Sequence, residues 1–304
     1  MRIGLMMGSS RETGESLDGI AAFAAHAEQM GFDSLWLAQI FAVDAMTALA
    51  IAGQKTSRAA LGTAVVPTYP RHPVAMAQQA VSTAMACGGR FVLGVGLSHK
   101  MVIEDMYGMS YEKPAAHMRE YLQVLGPALR GEQVSHKGEH YRVNIRVSVP
   151  GAPPVPLLIA ALGPVMLQIA GELSDGTITW MTGPQTIEEH IQPVLQRAAA
   201  AAGRAAPRVV AGFPVVLTND GEGAKKIIAE QLAIYGMLPS YRAMLDREGA
   251  AGPADIAMVG DETALRAQIQ RLRDIGVSDF NAAIIPVDTT ATTRTLAFLA
   301  SECA

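Results

Sequence analysis

Short apolar segments alternate with amphipathic helical segments along almost the whole of this 304-residue sequence. In the fourth of them, from Arg90 to Val95, the apolar residues run together, which is typical of a parallel strand buried on both faces. Strands are predicted at 2–7, 33–38, 60–66, 90–95, 155–161, 176–181, 208–217 and 279–285. Helices are predicted at 15–30, 44–54, 73–87, 164–173, 184–202, 222–235, 239–248, 262–275 and 290–302, with one more ending at 130.

Eight strands alternating with helices, without a break in composition between two halves, predict an α/β fold. A single (β/α)8 TIM barrel covering 1–304 as one domain is favoured over an open doubly wound sheet. Two interruptions are expected. A methionine-rich connection over 97–114 and a hairpin-like segment over 133–147 form a longer insertion after strand 4, and the helices at 222–235 and 239–248 form a helical insertion after strand 7.

The charges disfavour several classes of partner. With 24 Lys and Arg against 28 Asp and Glu, and without a basic run, the chain is not expected to bind nucleic acid. The long uncharged stretch 147–171 contains several prolines, so it is not expected to be a membrane helix. The interval from Arg2 to Arg11 is too short for a secretory signal, and Cys87 and Cys303 lie far apart, which favours the reducing cytoplasm.

A barrel carries its chemistry on the loops that follow the strands. After strand 4, Gly94 and Gly96 could allow a ligand close to the backbone or could form an ordinary tight turn. They are not a dinucleotide fingerprint, because His99 replaces the third glycine. His99 itself could transfer a proton at the rim of the barrel or be a structural histidine.

The segment 162–165 ends strand 5 and begins a helix, so its unpaired N–H groups and the helix dipole could hold a phosphate. An ordinary strand-to-helix turn is the alternative. Glu188, Glu189 and His190 project in different directions from one helix and are expected to form a solvated face. Neither a metal site nor a Gly-x-Ser-x-Gly nucleophile motif is found in the sequence, which disfavours covalent hydrolysis.

Four segments together carry a family resemblance: Gly-Phe-Asp-Ser-Leu-Trp-Leu at 31–37, Tyr-Pro-Arg-His-Pro at 69–73, the glycine-rich 88–96, and 170–176. From Met1 to about Ile285 the chain resembles the bacterial luciferase-like superfamily. Through 37–41 and 180–184 it is most similar to oxidoreductases that use the deazaflavin coenzyme F420. The resemblance implies a (β/α)8 fold that binds flavin or deazaflavin across the mouth of the barrel.

Carried over by position, the resemblance implies a cis peptide bond between Ala64 and Val65, behind the cofactor ring. It also implies a phosphate site at the segment from Leu162 to Met166, the helix start noted above. The implied cofactor contacts are Gln39, Ala64, Val65, Val66, Pro67, Thr68, Leu97, Ser98, Leu162, Gly163, Pro164, Val165, Met166 and Trp180.

The departures from the family concern catalysis. Where similar sugar-phosphate dehydrogenases have an acid and a catalytic histidine, this chain has Gln39 and Ile40, and His99 stands near their second carboxylate. Sugar phosphate is therefore disfavoured, and the candidate catalytic residues are His99 and Gln39. An apolar pocket for a larger hydrophobic substrate, or alternatively part of the core, is predicted at Ile40, Met101, Met106, Trp180, Tyr235 and Met237.

The favoured function is hydride transfer between F420 and an apolar carbonyl or unsaturated compound. The alternatives are an FMN-dependent luciferase-like monooxygenase and a non-catalytic cofactor-binding barrel. The apolar helices near 45–52 and 76–85 predict a homodimer, unless an internal contact with the C-terminal helix buries them.

Overall fold

Parallel strands close into a barrel in the computed structural model, which describes residues 1–7 and 16–303. The predicted turn after the first strand and the predicted helix start at Glu15 lie outside these residues, as does Ala304. The barrel strands are β1 (Arg2–Met7), β2 (Ser34–Leu37), β3 (Ala60–Thr63), β4 (Phe91–Gly96), β5 (Leu157–Ala160), β6 (Gly176–Thr179), β7 (Arg208–Leu217) and β8 (Asp279–Ile284). Because β8 pairs in parallel with both β7 and β1, the sheet closes and the predicted TIM barrel is confirmed.

The main helices cover the outside of the barrel. They are α1 (Leu17–Gln29), α2 (Ala45–Gly53), α3 (Pro73–Ala86), α4 (Pro114–Leu129), α5 (Pro164–Leu173), α6 (184–201), α7 (Gly221–Gln231), α8 (Ala233–Met237), α9 (Pro239–Glu248), α10 (Glu262–Asp274) and α11 (Thr289–Ser301). Several begin at a short polar residue whose side chain accepts a hydrogen bond from a backbone N–H of the first turn, as Ser16, Asp44 and Asp261 do.

The third predicted strand, 60–66, is interrupted in the structure. β3 ends at Thr63, Ala64 and Val65 leave the ladder, and the two-residue strand Val66–Pro67 then pairs with the end of β4. This interruption places the Ala64–Val65 segment at the mouth of the barrel, defined as its carboxyl-terminal end with the loops that follow the strands.

Both predicted insertions are present, with details that the sequence pattern did not show. After β4 the chain forms the π-helical turn Val102–Met106, α4, and the antiparallel hairpin Gln133–Lys137 and Arg142–Arg146. After β7 it forms α7, α8, α9 and the short strand Met258–Gly260, which pairs with the end of β7. The predicted helix 222–235 was wrong in its extent, because the helix breaks at Leu232.

Gly94 and Gly96 lie inside β4, so the alternative of an ordinary tight turn there was wrong. A Cβ atom on Gly94 would lie 2.1 Å from the carbonyl oxygen of Thr63, and one on Gly96 would lie 2.7 Å from Cγ2 of Val65. Real Cβ contacts are longer than this, so both positions exclude a side chain because the neighbouring strand and the Ala64–Val65 segment approach closely.

The apolar faces of α2 and α3 are largely covered within the chain. Leu49 and Ala52 of α2 and Met76 and Ala80 of α3 are fully buried, and α2 packs between α1 and α3. The C-terminal helix α11 packs instead on β7 and β8. The apolar composition of α2 and α3 is therefore explained without a second copy of the chain to cover them. The homodimer stays a prediction.

Within 1–7 and 16–303, the structure has no helix that is both long and apolar enough to cross a bilayer. Cys87 and Cys303 are both free thiols, and Cys87 is buried. The cytoplasmic location and the single domain over 1–304 stay predictions.

Candidate active site

The predicted site residues come together at the mouth of the barrel. Gln39 follows β2, the segment 64–68 follows β3, 97–99 follows β4, 162–166 follows β5, and Trp180 follows β6. Parallel strands in a closed barrel all end at the same rim, so segments far apart in the sequence surround one opening.

The loop after β3 is fixed to its neighbours on both sides. The Ala64–Val65 peptide bond is cis, as the resemblance implied. Ala64 N–H donates to the carbonyl of Leu37 (2.9 Å), Gln39 N–H donates to the carbonyl of Val65 (3.3 Å), and Thr68 N–H donates to the carbonyl of Gly96 (2.9 Å). Ala64 and Val65 are half-buried and pack against the apolar side chains that fill the barrel. They form a small, apolar platform at the centre of the mouth.

Thr68 is fully buried, and its hydroxyl contacts a histidine that the sequence did not single out. Nε2 of His117, from α4, lies 3.1 Å from Oγ1 of Thr68, and the His117 ring stacks in parallel on Tyr69 with centroids 4.0 Å apart. Burial, with the nearby His140, lowers the pKa of His117 to about 4, so this imidazole is neutral at pH 7. His117 therefore supports the platform loop, residues 64–68, from the side of α4.

Gln39 lies at the rim, where its side chain takes part in the start of α2. Its Oε1 accepts a hydrogen bond from Ala45 N–H at 3.0 Å. Burial raises the pKa of Asp44, but hydrogen bonds from Thr47 and Gln39 and the charge of Arg71 leave that pKa below its usual value. Because the Gln39 amide is engaged with α2, it is a poor candidate for contact with a reacting substrate atom.

His99 is half-buried at the end of the loop after β4, beside the helical insertion. Its ring centroid lies 5.5 Å from that of Tyr241 on α9, with the rings tilted by 59°. Burial lowers the pKa of His99, so the imidazole is neutral at pH 7, with one N–H and one unprotonated nitrogen. The preceding Ser98 has a φ of 60°, and its carbonyl accepts a hydrogen bond from the Tyr111 hydroxyl at 3.3 Å.

An aromatic wall follows the loop after β6. Trp180 contacts Tyr235 edge to face at 6.0 Å between centroids, and Tyr235 contacts Tyr241 in the same way at 5.3 Å. Four of the predicted pocket residues are exposed, so the alternative that they belong to the core was wrong for Ile40 (57%), Met101 (43%), Met106 (55%) and Met237 (74%). Trp180 and Tyr235 are half-buried. The mouth thus has an apolar rim, which is suited to an apolar ligand.

The segment after β5 has the form expected of an anion site. Gly163 directly precedes α5, Pro164 is in its first turn, and no side chain caps the helix among the residues that the structure describes. Val165, in the same turn, is 56% exposed. The first-turn N–H groups and the helix dipole can therefore act on a ligand from the mouth.

The carbonyl of Leu162, just before that helix, accepts a hydrogen bond from Nε2 of His190 at 2.8 Å. His190 lies on the π-helical turn Ile187–Ile191 of α6. The prediction of a solvated face holds for the exposed Glu188 and Glu189 and was wrong for the half-buried His190. Sequence spacing could not show this contact, because it joins the loop after β5 to α6.

A cavity of about 270 Å³ lies beside the mouth, between the start of α4 and the hairpin. Its lining residues are Tyr69, Met109, Ser110, Glu112, Lys113, His117, Glu139, His140 and Tyr141. Tyr69 and His117 separate this cavity from the platform loop, residues 64–68. None of the predicted site residues lines the cavity.

Comparison with known proteins identifies the family. The luciferase-like monooxygenase family profile matches residues 1–284. The chain belongs to this family. The resemblance seen in the sequence is thus confirmed, and the match covers all eight barrel strands.

Several relatives have names that refer to F420 or to a pterin. A Mycobacterium tuberculosis protein provisionally named a coenzyme F420-dependent oxidoreductase is 29% identical over 88% of this chain and 80% of its own. A 5,10-methylenetetrahydromethanopterin reductase of Methanolobus tindarius is 28% identical over 81% and 75%. An F420-dependent glucose-6-phosphate dehydrogenase of Kineococcus radiotolerans is 27% identical over 83% and 78%.

Solved structures share the fold at lower identity. An F420-dependent secondary alcohol dehydrogenase, in complex with an F420–acetone adduct, superposes with a TM-score of 0.83 at 18% identity over 100% of this chain and 99% of its own. An FMN-bound Baeyer–Villiger monooxygenase of Pseudomonas putida reaches 0.78 at 17% identity over 100% and 98%. These likenesses establish the barrel but do not distinguish between the two cofactors.

Proposed function

We propose that this protein is an F420-dependent oxidoreductase that transfers a hydride between the deazaflavin and an apolar carbonyl or unsaturated compound. The observation that carries the proposal is that relatives named for F420 align over most of this chain, two of them over more than four fifths of it. The confirmed luciferase-like barrel and its mouth are consistent with such a cofactor.

The residues at the mouth fit a deazaflavin with a phosphate-bearing tail. Ala64 and Val65 would support the ring, Leu97 and Ser98 would flank it, and the uncapped start of α5 would hold the phosphate. When bound, the deazaflavin supplies the hydride chemistry. The protein's part is to orient the ring, exclude water with the apolar rim, and provide a hydrogen bond or a proton to the substrate.

The rim also supports an apolar substrate. Ile40 and Met237 are among the exposed apolar side chains around the mouth, and Gln39 is engaged with α2 where similar sugar-phosphate dehydrogenases have an acid. A sugar phosphate would find few polar partners on this surface, whereas a hydrophobic ketone or enone would bury its surface there.

An FMN-dependent monooxygenase is the second candidate, because the FMN-bound Baeyer–Villiger enzyme has the same fold. Equilibrium titration with oxidised F420 and with FMN, followed by cofactor fluorescence, tests the cofactor. We expect F420 to bind at micromolar concentration. Micromolar binding of FMN without binding of F420, together with oxygen consumption on adding reduced FMN, would support the monooxygenase instead.

Turnover tests the reaction. Under anaerobic conditions, reduced F420 should be oxidised when apolar ketones or enones are added, from cyclohexanone to longer alkyl and aryl ketones. F420 binding without oxidation by any member of this panel would favour the non-catalytic cofactor-binding barrel.

Replacing Val165 by aspartate should weaken F420 binding about tenfold, because a carboxylate at the start of α5 would repel the phosphate. An acid in the first turn stabilises a helix, and Val165 is exposed, so the fold should tolerate the change. The measurement compares F420 with its riboflavin-like deazaflavin core, which lacks the phosphate.

The affinity for the deazaflavin core should stay within twofold in this variant. Val165→Asn is the control of matched size without charge, and it should bind F420 almost as well as the original protein. Equal losses of F420 and core affinity in Val165→Asp would place the phosphate elsewhere.

A further inference from the structure

Tyr241 belongs to the helical insertion after β7, yet it lies against His99 from the loop after β4. The two ring centroids are 5.5 Å apart, and the other side of Tyr241 is in edge-to-face contact with Tyr235 at 5.3 Å. Tyr241 also packs in the apolar cluster of Met181 and Leu245. The phenol therefore joins the insertion to the rim where the candidate catalytic histidine lies.

The helix that carries Tyr241 is attached to the barrel at a defined point. Both carboxylate oxygens of Glu248, at the end of α9, accept backbone hydrogen bonds at the start of α6: from Gln185 N–H at 3.1 Å and from Thr186 N–H at 2.7 Å. On the same helix, the Arg242 guanidinium donates a hydrogen bond to the carbonyl of Ala251, just after α9, at 2.7 Å. The Glu248 contacts attach α9 to the start of α6, and so help to set the position of Tyr241 relative to the mouth.

Tyr241 and His99 are both half-buried, and their side-chain polar atoms are not fully enclosed by the protein. Within 1–7 and 16–303 the Tyr241 hydroxyl and the His99 imidazole make no hydrogen bond, and neither is among the sealed polar atoms without a partner. The Gln39 oxygen accepts from α2 and the Thr68 hydroxyl contacts His117, so both of these groups already have a partner. Tyr241 and His99 are thus two donors side by side at an apolar opening, with the Tyr235 hydroxyl and the Trp180 indole N–H, which also make no hydrogen bond within the described residues, next to them.

Their protonation states suit hydrogen-bond donation at neutral pH. Burial raises the pKa of Tyr241, so the phenol keeps its proton. Burial lowers the pKa of His99, so the imidazole is neutral and can accept one proton while it releases another.

We propose that the Tyr241 hydroxyl is a catalytic group that hydrogen-bonds the carbonyl oxygen of the substrate and protonates it, with His99 beside it. This inference rests on the proposed carbonyl reduction. In that reaction the reduced deazaflavin, when bound, would supply the hydride that forms the new C–H bond as the C=O π bond breaks. The Tyr241 O–H bond breaks as the substrate O–H bond forms, and the tyrosinate regains a proton from solvent water through His99.

Tyr241→Phe tests the proposal, because it removes the hydroxyl and keeps the ring. We expect kcat for ketone reduction to fall about thirtyfold, as for loss of a hydrogen bond at the reacting oxygen, with the F420 dissociation constant unchanged within threefold. Tyr141→Phe, at the turn of the hairpin, is the matched control and should leave both values unchanged, because Tyr141 lines the separate cavity that contains none of the predicted site residues.

A second measurement does not depend on turnover. Acetophenone labelled with 13C at its carbonyl is bound to the protein with oxidised F420, and its C=O stretch is recorded by infrared difference spectroscopy. The stretch should shift to lower frequency than in hexane, and the shift should be lost in Tyr241→Phe but kept in Tyr141→Phe. Site-specific 3-fluorotyrosine at position 241, a stronger donor, should lower the frequency further and covers the case in which the phenylalanine variant is unstable.

The outcomes separate this inference from the proposed function. If the original protein reduces ketones but Tyr241→Phe keeps full kcat and the same carbonyl stretch, the role of Tyr241 is overturned and the proposed function stands. An unshifted stretch in the original protein, or no response to 3-fluorotyrosine, also overturns the role of Tyr241. If no ketone is reduced by the original protein while F420 binds, the proposed carbonyl chemistry fails, and the inference fails with it.

Discussion

Replacing His99 by glutamine should lower kcat about a hundredfold while the affinity for F420 stays within about threefold. The imidazole lies beside Tyr241 at the rim and is neutral because burial lowers its pKa, so it can both accept and release a proton. Glutamine keeps a hydrogen-bonding amide of similar length but cannot titrate. The loss should therefore appear in the chemical step, measured as single-turnover oxidation of reduced F420 by a ketone.

The competing explanation is that His99 only supports the fold. In that case His99→Gln should lower the melting temperature and weaken F420 binding together, because the contacts of the half-buried imidazole with its neighbours would be lost. His26→Gln is the control, since His26 is exposed on α1 away from the mouth. An unchanged kcat in a stably folded His99→Gln variant would remove the imidazole from the mechanism.

The sequence predicted the barrel because the features that determine it are local and repeated. Each strand is a short apolar run followed by a turn and an amphipathic helix, so the fold follows from the alternation once the strands are identified. The uncapped start of α5 was also predictable, because Gly163 and Pro164 are a local signal for the beginning of a helix.

The sequence could not predict how side chains from different loops meet. Gln39 was a candidate catalytic residue because its amide can form hydrogen bonds with a substrate. In the folded chain, however, the amide oxygen accepts a hydrogen bond from Ala45 N–H. Tyr241 reaches His99 from α9, which Glu248 attaches to the start of α6. Contacts of this kind depend on long-range packing, and periodicity carries no information about them.

Asp279, at the amino-terminal end of the barrel strands, is another residue whose contacts could not be predicted from the sequence. Only the start of a strand was predicted at this position. Its side chain is fully buried at the beginning of β8, with Oδ1 2.7 Å from Nε of Arg2 on β1 and 3.1 Å from Nη2 of Arg208 on β7. One carboxylate thus joins the three neighbouring strands at the point where the last strand pairs with the first.

Replacing Asp279 by asparagine should lower the free energy of unfolding by about 3 kcal/mol, because removing one partner of a buried ion pair leaves the other charge uncompensated. The uncompensated charge is mainly that of Arg208, whose side chain is 21% exposed, against 44% for Arg2. In a thermal unfolding experiment the melting temperature should fall by about 5 °C. Asp274→Asn is the control, since Asp274 is exposed on α10, and its effect should stay within about 0.5 kcal/mol.

The size of the loss also shows how the barrel is closed. A loss below about 1 kcal/mol would match an exposed ion pair and would mean that Arg208 reaches water once the carboxylate charge is gone. A loss of about 3 kcal/mol in Asp279→Asn, with a smaller loss in Arg2→Gln, would place most of the stabilisation in the contact between β7 and β8. Since Arg2 is the more exposed of the two arginines, we expect this second pattern.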